Sequence, residues 1–132
     1  MWRYPFFALI GMAMTATAVA QDGMVAVQKP AQLSPLAEQG RVAFGKTCAS
    51  CHGDWGQGVS NGGNAKQGPP LIHRIYESSH HGDMAFLVAM AQGTRQHHWR
   101  FGNMPPQPDV GREEALAIIR FVREVQRVNG IE

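Results

Sequence analysis

The chain of 132 residues has only two cysteines, Cys48 and Cys51, and they stand three positions apart with His52 directly behind them. Two thiols and an imidazole in that order can form a disulfide, hold a metal ion or take up a cofactor. On a helical turn, positions 48 and 51 share a face, so both sulfurs can reach the two vinyl groups of one porphyrin. His52, four residues beyond Cys48, then sits where its ring ligates the iron. This is the attachment spacing of c-type haem. The competing uses require more sequence around them: a dithiol enzyme calls for a βαβ pattern, and a tetrahedral zinc site calls for a second ligand pair at finger-like spacing. The chain supplies neither.

Iron held by His52 on one side stays open on the other, takes a second histidine, or takes a methionine sulfur. An open position invites peroxide, oxygen or nitric oxide chemistry, whereas two strong ligands leave room only for electrons. Gly102-Asn103-Met104-Pro105-Pro106 is the best candidate segment, because glycine before and proline after stiffen the backbone that holds Met104. His97 and His98 stand six or seven residues before Met104 and compete for the same role. With His80-His81 they form two adjacent pairs, which read as solvated or hydrogen-bonding side chains or as a metal-handling feature, for instance for copper. Met84 and Met90 fall within a helical stripe and read as core. Trp99 and Phe101 are placed to cover the methionine side, while Trp55 and Trp99 also read as loop anchors.

Three helical patterns position these groups. Ser34 is a good N-cap and Pro35 suits a first helical position, so a helix starts there and passes through Leu36, Gly40, Phe44 and Cys48 at a stride of four. The second pattern covers residues 83–92, with Met84, Leu87, Val88 and Ala91 at helical spacing, Phe86 and Met90 beside them, and Gly93 as the stop. The third covers residues 112–128, where Ala115, Ile118, Val122 and Val125 form one stripe beside Phe121. Glu113 and Glu114 in its first turn and Arg123 and Arg127 near its end favour the helix dipole, and Asn129-Gly130 closes it. Residues 53–71 hold six glycines and two prolines and read as a long irregular loop, of the kind that wraps something. No stretch alternates with period two, so the expected class is all-α.

The first residues read as export machinery: Arg3, an apolar run over residues 6–14, and Ala18-Val19-Ala20 as a cleavage pattern. Cleavage is expected after Ala20, giving a signal peptide over 1–20, a leader over 21–33 and the domain over 34–132. The apolar run is short for a membrane span, so membrane association is expected only if it is retained. Removing residues 1–20 takes away Arg3 and leaves a net charge of about +1. Near-neutrality excludes nucleic acid as a partner class, since that calls for a strongly basic face. Lys46, Lys66, Arg74, Arg95 and Arg100 fall in segments expected to border the cofactor.

Together these residues make the chain resemble the class I c-type cytochromes of the bacterial monohaem kind. The family's first helix carries a glycine and an aromatic residue ahead of the haem motif, matched by Gly40 and Phe44. Its Gly-Pro-x-Leu segment is matched by Gly68-Pro69-Pro70-Leu71, its axial methionine before a proline by Met104-Pro105, and its last-helix aliphatic and aromatic pair by Ile118 and Phe121. The resemblance covers residues 34–128. It implies a small cytochrome c fold, three main helices and Gly/Pro-rich loops wrapped around one covalently bound haem c, with Cys48 and Cys51 as attachment points and His52 and Met104 on the iron. It further implies that the Pro69 carbonyl accepts from Nδ1 of His52 and that Leu71 packs on the porphyrin. The function expected is one-electron transfer in the periplasm without substrate chemistry, between a dehydrogenase or quinol-oxidising donor and an oxidase or reductase acceptor. A haem enzyme or gas sensor with a labile sixth ligand, and a haem-bearing subunit of a larger oxidoreductase, are the alternatives.

Overall fold

A computed structural model describes residues 25–60 and 66–132; the expected signal peptide and the start of the leader lie outside the described residues. Helix α1, Pro35–Thr47, begins where Ser34 turns extended and its Oγ accepts the Ala37 N–H at 3.3 Å. Its buried face is Ala37, Gly40, Ala43 and Phe44. Leu36, placed on that face by a stride of four, is 47% exposed, and Ala37 takes its place. A repeat of 3.6 drifts off a four-residue stride within two turns. Cys48 closes α1 through its N–H to the Phe44 carbonyl at 2.8 Å, and one further turn, α2 (Ala49–His52), carries the rest of the cysteine motif. Helix α3 is Asp83–Gln92 and helix α4 is Arg112–Val128. Between α2 and α3 lies a 3-10 turn, Arg74–Tyr76, for which the sequence carries no strong local signal.

The core is the crossing of α1 and α4. A Cβ on Gly40 would fall 1.8 Å from the Ala117 carbonyl oxygen, so only a residue without a side chain lets the two backbones meet there. Phe44 and Phe121 meet with ring centroids 5.3 Å apart and planes tilted by 59° beside this contact, and Ile118, Val122 and Val125 complete the buried stripe of α4. Each such side chain removed from water contributes roughly 1.5–3 kcal/mol. Trp55 reaches Phe121 at 5.6 Å and anchors the loop after α2. Among the described residues there are no strands, only two isolated antiparallel bridges, Val59 with Gly68 and Thr94 with Met104. No helix among them is long and apolar enough to cross a membrane.

Helix α3 departs from its expected stripe. Met90 is buried, but Met84 is 65% and Val88 43% exposed and Ala91 faces solvent. Met84 and Val88 instead line a cavity between α3 and the core, so this helix splits its apolar residues between the two surfaces. Arg123 also departs from its expected role at a helix end. Its guanidinium donates to the Tyr76 and His81 carbonyls and to Asp83 and Gln126, and it lies 4.8 Å from the Phe86 ring. Gln126, fully buried, donates to the carbonyls of Leu71 and Tyr76. Together they tie the irregular segment before α3 onto α4.

Candidate haem-binding site

The cysteine motif is held by helix hydrogen bonds and by a sharp exit. The His52 N–H donates to the Cys48 carbonyl at 2.9 Å, and Gly53, with φ of 76°, turns the chain away. Both thiols are free, Cys48 buried and Cys51 half-buried. Burial pushes the Cys48 thiol up to about 11, with the charges of Cys51 and Glu114 adding to the effect. A thioether carries no charge, so the same burial does not oppose it.

His52 is 8% exposed, and its Nδ1 lies 2.9 Å from the Pro69 carbonyl. A carbonyl oxygen only accepts, so Nδ1 bears the proton and Nε2 is left with its lone pair. Desolvation holds the ring below its usual pKa, against the pull of that hydrogen bond, and keeps it neutral as a metal ligand must be.

On the far wall, α3 ends at Gly93, whose φ is 72° and where a Cβ would meet the Met104 carbonyl oxygen at 2.5 Å. This close approach lets Thr94 and Met104 pair through two backbone hydrogen bonds of 2.9 Å each. Met104 is thereby fixed on a stiff segment followed by Pro105 and Pro106.

The cavity bounded by these elements has a volume of about 440 Å³ and a largely apolar lining that includes Phe44, Ile118 and Val122. Cys48, His52, Pro69, Leu71 and Met104 all line it, whereas Cys51 does not. Two polar groups stand on its wall: Trp99, which the sequence offers as a cover for the methionine side, and Tyr76, which no motif announces. The Trp99 indole N–H is buried without an acceptor in hydrogen-bonding geometry. Tyr76, beside it, is raised to about 12 by burial, with the indole close enough to pull weakly the other way, so its hydroxyl stays protonated. An orphaned donor on an apolar wall is costly unless an acceptor meets it. An apolar plate with an acidic edge, two vinyl groups and a metal centre fits this wall, and haem has those features. Of the five cations expected to border the cofactor, Arg95 lines the cavity.

Residues 37–126 match the family profile described as Cytochrome c. The chain belongs to the cytochrome c family. It is accordingly a haem-binding electron-transfer protein with the small all-α fold of that family. A comparison with curated proteins finds no significant match. In this cytochrome the sequence signal for Trp99 is weak because an indole in a loop reads equally as an anchor. Tyr76 follows from no motif, since only the 3-10 turn brings it to the wall.

Proposed function

We propose that this cytochrome is a periplasmic carrier of single electrons and does no substrate chemistry of its own. Haem c would be held by thioethers to Cys48 and Cys51, with His52 Nε2 and the Met104 sulfur as axial ligands. When bound, it supplies a one-electron ferric/ferrous couple. Pro69 fixes the imidazole tautomer, Leu71 and the α4 stripe exclude water, and Trp99 and Tyr76 offer donors to acidic groups. A thioether opposite an imidazole favours the ferrous state relative to two imidazoles. The observation that carries the reading is that His52, with Nε2 unprotonated, and Met104, pinned by its bridge to Thr94, line one cavity.

Residues 1–20 support export, and the compartment outside the cytoplasmic membrane is where bacteria attach haem to such motifs. The donor is a dehydrogenase or quinol-oxidising complex and the acceptor an oxidase or reductase, each docking through a small, short-lived interface. Spectroscopy of the exported protein tests the ligands. The ferric form should show the weak red charge-transfer band of methionine ligation, and Met104→Ala should abolish it. A wild-type protein that lacks the band and binds carbon monoxide readily when reduced would instead be the haem enzyme or sensor. Intact mass tests attachment and processing together.

A further inference from the structure

Four of the six histidines meet at one place that electron transfer leaves unused. His80 and His81 stand just before α3, and His97 and His98 lie in the segment between α3 and Met104. The fold brings the two pairs together, with ring centroids across them between 5.2 and 5.7 Å apart. Nε2 of His80 is 3.3 Å from Nε2 of His98, and Nε2 of His81 is 3.4 Å from Nε2 of His97. One nitrogen from each of His80, His81 and His98 lies within 4.8 Å of the other two.

The remaining ring nitrogens say what the cluster lacks. Nδ1 of His81 is 2.6 Å from the Ile75 carbonyl and Nδ1 of His97 is 2.8 Å from the Arg95 carbonyl. Both carbonyls can only accept, so both Nδ1 atoms carry the proton, and the facing Nε2 atoms of the neutral rings are both lone pairs. Two lone pairs 3.4 Å apart cannot hydrogen-bond to each other. A metal ion between them, or a proton on one of the two rings, resolves the conflict. Backbone carbonyls that fix the far nitrogen are also the usual outer partners of metal-bound histidines. A tetrahedral ion with metal–nitrogen distances of 2.0–2.1 Å holds its donors about 3.3–3.4 Å apart. The His80–His98 and His81–His97 separations each match, while the donors of His80, His81 and His98 taken together lie within 4.8 Å.

We propose that His80, His81 and His98, with His97 as a further donor, bind one nitrogen-preferring divalent ion, Zn²⁺ or Cu²⁺, at the rim of the cofactor cavity. An all-imidazole donor set selects these ions over Mg²⁺ and Ca²⁺, which take oxygen ligands. His81, His97 and His98 also line the cavity, so the bound ion would clasp the segment before α3 to the segment that carries Met104.

The test is calorimetric titration of Zn²⁺ into untagged, haem-loaded protein, with Cu²⁺ paramagnetic resonance as a second readout. The expected result is saturable uptake of one ion per chain at micromolar concentrations, unaffected by excess Mg²⁺, nitrogen hyperfine structure from Cu²⁺, and a raised unfolding temperature with Zn²⁺. His80→Gln with His98→Gln should weaken uptake by at least about tenfold. His80 is exposed and lies outside the cavity lining, so His80→Gln alone should keep its haem spectrum, and it carries the comparison should the double variant fail to fold. No saturable uptake, or uptake of equal strength in the variants, overturns the proposal. Neither outcome bears on the iron ligands, which the charge-transfer band reports separately.

Discussion

Glu124 couples the two ends of the domain through a single carboxylate. Its Oε2 accepts the backbone N–H of Ser34 at 2.9 Å, and its Oε1 accepts from Arg120 at 2.6 Å. Burial pushes its pKa up, but the Ser34 and Arg120 hydrogen bonds outweigh that and hold it below the ordinary 4.5. A carboxylate with a depressed folded pKa contributes stability above its unfolded value and loses it as the pH falls through the folded one. Glu124→Gln should therefore cost about 1–2 kcal/mol at neutral pH and flatten the acid limb of stability below roughly pH 4.5. Denaturant titrations across pH check both parts. Gly40 is the other residue on which the seam depends. Gly40→Ala drives a methyl into the Ala117 carbonyl and should cost about 3 kcal/mol, read as a lower denaturation midpoint of the haem-loaded protein.

At the scale of elements, legibility followed the strength of each local pattern. Helix α4 was readable in its ends and its stripe because that stripe is buried along its whole length, and α1 because Ser34 and Pro35 mark its start. Helix α3 had readable ends but an unreadable face, since its apolar residues serve the core on one side and the cavity on the other. Arg123 and Gln126 were opaque because their partners are mostly backbone carbonyls, which no side-chain pattern announces. The meeting of His80-His81 with His97-His98 was hidden for a related reason: both pairs were visible, but only the fold brings them together. These tethers carry a prediction of their own. Arg123→Ala removes charge-assisted bonds from a mostly buried guanidinium and should destabilise by about 2–3 kcal/mol. Hydrogen exchange should rise first in residues 71–83, while α1 and the body of α4 stay protected.

The whole molecule is small, and one large wall of its interior is the lining of the cofactor cavity rather than packed side chains. A domain of this size buries a modest share of its surface, so its fold depends on what fills that wall. Protein made without the haem-attachment machinery is expected to show no cooperative thermal transition by circular dichroism. A sharp transition in such material would show that the protein core suffices alone. The contact between the first and last helices adds a requirement of timing. Ser34 and Glu124 stand 90 residues apart, so a chain threaded through a membrane amino end first displays both thiols well before the carboxyl-terminal helix arrives to shut the seam. On the proposed export route, chemistry on Cys48, only 8% accessible in the finished fold, belongs to that interval.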